Sequence, residues 1–197
     1  MKRLVDIIGS LVGMLVFLIP GLLIGAAIKI EDNGPIFYGQ LRVGKDGKLF
    51  KIWKFRSMVP DAHSKKTLLL EKNVMDGPTF KMKNDPRITK VGNFIRKRSL
   101  DEIPQFINVF LGEMSLVGPR PALPEEAKEY DERTSTRLKA MPGITGLWQV
   151  SGRNDLSYSE MINLDLEYIS NYSIFLDFKI LFLTVIQMFD YQNNGAY

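Results

Sequence analysis

Two adjacent carboxylates, Asp101 and Glu102, follow three consecutive cations, Arg96-Lys97-Arg98, and precede Pro104-Gln105. A carboxylate pair can serve as nucleophile, general acid or base, or ligand for a hard cation. Cations clustered beside a helix start suit a bound phosphate. A plainer reading competes: Ser99-x-x-Glu102 fits a capping box, and Asp101 favours a helix start. That reading covers Glu102 but not the three cations, which oppose the dipole of a helix beginning there. Arg120 stands between Pro119 and Pro121, so its guanidinium is either a rigid phosphate clamp or part of an ordinary proline-rich turn. Arg153, in Ser151-Gly152-Arg153-Asn154-Asp155, occupies a similar polar, glycine-containing loop.

Other chemistries are narrowed by what the chain lacks. It has no cysteine, so thiolate zinc sites, disulfides and cysteine nucleophiles are excluded. His63 is the single histidine and sits in a polar stretch read as solvated surface, so carboxylates must carry any acid, base, nucleophile or metal role. There is no Walker A loop, no G-x-G-x-x-G and no Asp-x-Asp pair, which argues against P-loop kinases, Rossmann dehydrogenases and one large glycosyltransferase class. A formal net charge of +4 suits anionic partners such as phosphates, nucleotides or lipid headgroups.

The elements that must position these residues are legible in part. From Ile7 to Ile28 no residue is charged, and a bilayer core takes a helix of about 20 residues. Three readings compete: a cleavable signal peptide, a straight span, or a re-entrant helix-break-helix. Pro20, followed by Gly21, places a break near the middle. Lys2 and Arg3 before the run, and Lys29 with a basic remainder after it, pull both ends to one side, which favours the re-entrant form. Gly34 to Met58 reads as a β-hairpin turning at Gly44-Lys45-Asp46-Gly47. Pro60 to Lys72 suits a short surface helix, and Gly77-Pro78 and Asp85-Pro86 punctuate the stretch beyond it. Val91 to Leu111 reads as helix interrupted near Pro104. Pro124 to Ala140 reads as a charged, exposed helix between two loops, Gly118–Pro121 and Met141–Gly146. Tyr158 to Tyr168 is helical. Ile174 to Phe189 is an apolar helix that either lies against a membrane or closes the core.

Taken together, several segments resemble the bacterial sugar transferase family, the monotopic phosphoglycosyl transferases. They are Met1-Lys2-Arg3 with Asp6, Gly34-Pro35-Ile36-Phe37, Lys51 through Met58, Ile95 through Gln105, Asn108-Val109, Gly112 through Pro121, Pro142 through Leu147, Gln149 through Arg153, and Asp165 with Tyr168. They run in family order over nearly the whole chain. The resemblance implies an α+β, mainly helical fold: a re-entrant membrane helix over residues 1–30 and a cytosol-facing catalytic domain over 31–197, at the bacterial inner (cytoplasmic) membrane. It looks like the minimal form of the family.

The resemblance also implies a reaction. Asp101 is the nucleophile that takes a phospho-sugar from a UDP-sugar, releases UMP, and passes the group to polyprenyl (undecaprenyl) phosphate. Mg²⁺ is the implied cofactor, handled by Asp101 and Glu102. Arg96, Arg120 and Arg153 match arginines associated with phosphate or nucleotide, and Lys54 and Arg56 match the Lys-Phe-Arg segment. Nucleic acid is not an expected partner. Ile19 departs from the serine the family often has before the membrane-helix proline. Two rivals stand beside this reading: a membrane-associated Mg²⁺-dependent hydrolase of nucleotide sugars or lipid diphosphates, and a membrane-anchored scaffold. The sugar, the pathway and homo-oligomer formation stay open.

Overall fold

Pro20 shapes the first part of the chain. A proline has no N–H to give, and its ring collides with the carbonyl of the residue four places earlier, here Val16. Helix α1 (Lys2–Val16) ends there, and α2 (Leu18–Asp32) begins beyond Phe17, whose φ of −92° and ψ of 9° make the hinge. The two helices are bent by 57°. The break therefore falls three residues before the expected Pro20, which itself sits in the first turn of α2, where a missing N–H is tolerated. The computed structural model describes residues 1–73, 80, 82 and 84–189. Gly77-Pro78 and the His63 side chain lie outside the described residues. Among those described, no single helix is long and apolar enough to cross a membrane, although the bent pair together is.

Helix α1 turns its polar side inward. Asp6 is buried and accepts hydrogen bonds from Ser115 Oγ and Leu116 N, both at 2.9 Å. Lys2 Nζ reaches the Val117 carbonyl at 3.0 Å and Asp177 Oδ2 at 2.7 Å. Arg3 donates to the carbonyls of Val109 and Phe110 at 2.6 and 2.7 Å. The two cations read as topological charges thus tie the start of α1 to the rest of the fold. Leu4, Ile8, Leu15, Ile19 and Leu22, by contrast, are exposed. An apolar outer face over a polar inner one suits lipid rather than water.

The expected hairpin is present. Strands β1 (Phe37–Val43) and β2 (Leu49–Phe55) pair antiparallel, from Phe37 opposite Phe55 to Val43 opposite Leu49. The short helix α3 (Ala62–Lys66) comes next. Helix α4 (Lys90–Lys97) is capped by Thr89, whose Oγ1 accepts from Gly92 N at 2.9 Å. A 3-10 turn over Leu100–Glu102 separates it from α5 (Gln105–Leu111).

Two strands lie outside the sequence expectation: β3 (Ser115–Val117) and β4 (Gly143–Thr145), which pair in parallel. They are too short to show alternation, and each lies beside a loop signal. The backbones here nearly touch: a Cβ on Gly143 would lie 2.1 Å from Gly118 N, so only glycine fits.

The single exposed helix expected over Pro124–Ala140 is broken into α6 (Pro124–Lys128), α7 (Glu132–Ser135) and a 3-10 turn over Thr136–Lys139. Asp131 starts the new helix by accepting from Thr134 N at 2.7 Å, and Glu126 and Arg137 are drawn inward, at 1% and 7% exposure. The chain closes with α8 (Leu147–Ser151), α9 (Tyr158–Ser170) and α10 (Ile174–Phe189).

The main core gathers Phe50, Ile52, Val109, Met114, Leu116 and Ile180. Each such side chain stabilises by about 1.5–3 kcal/mol on full burial. A second cluster of Ile24, Ile28, Phe55 and Ile95 fastens α2 to the hairpin and to α4. Helix α10 closes the core through Ile180, which is fully buried, while Phe175 and Phe182 stay exposed on the other side.

Candidate active site

Three connections far apart in sequence meet at Asp101 and Glu102. Strand β2 supplies Lys54, whose ammonium lies 2.6 Å from Glu102 Oε1 and 3.9 Å from Asp101 Oδ2. The α4–α5 connection supplies the carboxylates. The α8–α9 connection supplies Arg153, which donates from Nη2 to Ser99 Oγ at 2.8 Å. The expected capping box does not form: Ser99 takes a left-handed φ of 55°, and its side chain serves Arg153 instead of a helix end.

Backbone strain is concentrated at this meeting point. Five non-glycine residues have positive φ among those described, and three of them are Asn or Asp, which tolerate it. The other two are Ser99 and Arg153, hydrogen-bonded to each other. Such conformations cost on the order of 1–3 kcal/mol each and persist where the surroundings over-determine them, often at functional sites.

Arg96 and Lys97 occupy the last turn of α4. There the helix dipole favours cations, so the conflict read from sequence, which assumes a helix starting beside them, disappears. Arg96 still acts on Asp101 from that position. Arg98 stacks its guanidinium 4.1 Å from the centre of the Phe94 ring.

The two carboxylates have different surroundings. The Asp101 side chain is 13% exposed and that of Glu102 is 32%. Burial pushes Asp101 up to about 6, against the pull of Lys54 and Arg96. Asp101 lies in a 3-10 turn, and desolvation outweighs the cations around it. Burial opposes the Glu102 charge too, but the Lys54 ammonium in contact and Arg153 beyond it win, and its carboxyl falls below the usual range. Gln105, 2% exposed beside the pair, also favours the charged Glu102, yet its Nε2 completes no hydrogen bond among the described residues.

For Mg²⁺ the fit is partial in a way the ion accepts. No group of three or more metal-ligating side chains exists among the described residues. Mg²⁺ commonly takes one or two carboxylates and completes its shell with water and substrate phosphates. Asp101 and Glu102 meet that pattern, with Lys54 already sharing one Glu102 oxygen.

The remaining sequence candidates separate. Arg120 Nη1 pairs with Glu126 Oε2 at 3.2 Å, and its carbonyl accepts from Arg137 Nη2 at 3.2 Å. Arg42, on β1, reaches the neighbouring backbone, donating from Nη1 to the Pro121 carbonyl at 3.0 Å. Arg56 is not brought to the carboxylates. It comes directly after the last residue of β2, where the hairpin meets the end of α2, and it is committed to both oxygens of Asp32 and to the Pro35 carbonyl. Sequence reasoning misses Arg42, Glu126 and Arg137, and names Asp165 only through the family resemblance, without its partner. No spacing in the sequence marks these residues as a group.

The model of the family described as bacterial sugar transferase matches residues 1–191. The undecaprenyl-phosphate galactose phosphotransferase of Salmonella typhimurium is 45% identical, covering 100% of this chain and 42% of that protein. The UDP-glucose:undecaprenyl-phosphate glucose-1-phosphate transferase of Escherichia coli is 44% identical over 100% of the chain and 41% of its own length. The exopolysaccharide production protein ExoY of Rhizobium meliloti is 43% identical over 93% of the chain and 83% of its own length. The chain thus spans about two fifths of several curated relatives and most of another. A match that runs almost from end to end, through every stretch that builds the carboxylate site, makes this chain a member of the bacterial sugar transferase family.

Proposed function

We propose that the chain is a phosphoglycosyl transferase that moves a sugar 1-phosphate from a UDP-sugar to polyprenyl phosphate through a covalent intermediate on Asp101. One observation carries the reading: of two adjacent carboxylates, Lys54 holds Glu102 at 2.6 Å and leaves Asp101 enclosed, more basic and without that contact. A carboxylate with raised basicity that is still mostly ionised at neutral pH is a better nucleophile.

An Asp101 oxygen attacks the sugar-bearing phosphorus. The bond from that phosphorus to the bridging oxygen breaks, and UMP departs with the electron pair. An oxygen of polyprenyl phosphate then attacks the same phosphorus and displaces the Asp101 carboxylate, restoring it. In each step an anion must approach an anionic phosphorus centre, so Lys54, Arg96, Arg153 and Arg120 offset the repulsion. Bound Mg²⁺, held by Asp101 and Glu102, would supply charge neutralisation at the phosphates. The relatives whose names pair undecaprenyl phosphate with glucose in one case and galactose in the other support the reaction class and leave the sugar to this chain's own pocket.

The lipid acceptor requires a membrane. Both ends of the bent pair are fastened to one globular body: Lys2, Arg3 and Asp6 at the start, and Asp32 on Arg56 and Glu31 on the α4 N-terminus at the end. A pair so tied enters and leaves on the same side, which supports the re-entrant form and a catalytic body on the cytosolic face of the bacterial inner membrane.

Full-length protein given UDP-sugars and polyprenyl phosphate should release UMP and form lipid-linked sugar. Free sugar 1-phosphate with UMP and no lipid product would instead establish a hydrolase. With donor alone, intact-protein mass spectrometry should show a phospho-sugar adduct on wild type and none on Asp101→Asn. Transfer without any adduct, at wild-type rate in that variant, overturns the covalent route.

A further inference from the structure

Four arginines are buried among the described residues: Arg42, Arg56, Arg87 and Arg137, each 6–7% exposed. A buried guanidinium is costly unless a carboxylate neutralises it. Three of them have one: Arg56 has Asp32, Arg87 has Asp85, and Arg137 has Asp165. Arg42 does not, and none of the ion pairs among the described residues includes it. Its Nη1 donates to the Pro121 carbonyl at 3.0 Å and its Nη2 to Gln40 Oε1 at 2.8 Å, both neutral acceptors, and its Nε has no partner among the described residues.

The neighbourhood makes this exception more costly. Burial, and then the like charge of Arg120, pull the Arg42 pKa down to about 9; Glu126 and Glu102 oppose this without restoring it. Glu126 already accepts from Arg120 and from Leu123 N. Strand β1 thus anchors a second guanidinium on the carbonyl of Pro121, the residue next to Arg120, whose own side chain is 28% exposed and within reach of a ligand. One guanidinium without a carboxylate partner, held next to another that has only Glu126, is unfavourable in the free protein and favourable once a multiply charged anion arrives. A protein that needed Arg42 only as a bracket for Pro121 could use a neutral donor.

We propose that Arg42 and Arg120 form one anion subsite for a phosphate group, in which Arg120 is the exposed contact and Arg42 is a positioning residue supplying charge from beneath. The assignment of that phosphate to the donor diphosphate rests on the proposed function; the subsite itself does not.

The test uses full-length protein in lipid nanodiscs, with inorganic pyrophosphate as the probe. Wild type should bind it, Arg42→Gln should bind it about tenfold more weakly or worse, and Arg42→Lys should recover most of the loss. The Tm of ligand-free Arg42→Gln should not fall, because a poorly compensated buried charge has been removed. Unchanged affinity in Arg42→Gln, no recovery in Arg42→Lys, or no pyrophosphate binding by wild type each overturns the subsite, whatever the Tm. Failure of wild type to release UMP from UDP-sugars would sink the proposed reaction and leave the pyrophosphate result standing.

Discussion

Asp101 and Asp165 carry the same perturbation for the same first reason. Burial raises each to about 6, and a nearby cation opposes the shift. Their surroundings differ. Asp165, on α9, is 1% exposed, and its Oδ2 accepts from Arg137 Nε at 3.0 Å and Nη2 at 2.5 Å. Asp101 is 13% exposed, and its nearest ammonium is 3.9 Å away. One carboxylate is sealed against a guanidinium, while the other is enclosed but reachable. A shifted pKa therefore does not by itself mark a functional site. Access distinguishes the two aspartates: Asp101 can meet a ligand and Asp165 cannot.

Substitution puts that contrast at risk. Asp101→Asn should lower transfer by about a thousandfold or more, because a carboxamide cannot form the intermediate. The assay is UMP release, and activity near wild type would place Asp101 with Asp165 as scaffold. Asp165→Asn should do the reverse. Leaving the Arg137 guanidinium buried without its counter-charge costs about 3–5 kcal/mol, read as a shift in urea midpoint, with turnover per folded molecule largely kept.

A pH series tests the same difference through stability. Folding raises the Asp101 pKa from the ordinary value of about 3.9 to about 6, so the folded state favours its protonated form. The stability this contributes is complete below about pH 4 and lost as pH rises through about 6. Asp101→Asn should accordingly be the more stable protein at pH 7 to 8, with the gap closing between about pH 6 and 4, in Tm scans with chelator present. A variant less stable than wild type at pH 8 would contradict the burial argument. The smallest effect expected is that of Ser99→Ala, which removes one hydrogen bond to Arg153 worth about 1 kcal/mol. It should raise the donor KM a few-fold and leave kcat almost unchanged.

Much of this architecture is legible in the sequence. The uncharged run with its proline, the hairpin with its Gly-Lys-Asp-Gly turn, and the carboxylate pair among cations are local patterns, and local patterns survive in a linear reading. The long polar stretch after Pro124 reads wrongly as one helix because its fate depends on Asp165, far away in the sequence, pulling Arg137 inward. Arg56 shows a similar dependence: the motif names the residue, but it takes Asp32 at the end of α2 to show where its guanidinium goes. The proline marks the helix break one turn late, because its steric conflict is with the carbonyl four residues earlier.

Residue type and spacing alone supply the inventory: an apolar broken helix, a hairpin, two carboxylates side by side, and no thiol or second histidine to compete with them. Such signals act over a few bonds and need no packing to be read. Folding settles the rest: which carboxylate stays reachable, which arginines are scaffold, and that Arg42 stands poorly compensated beside Arg120. Those outcomes depend on desolvation and on charges brought together from distant stretches of chain, and neither quantity exists until the core has closed.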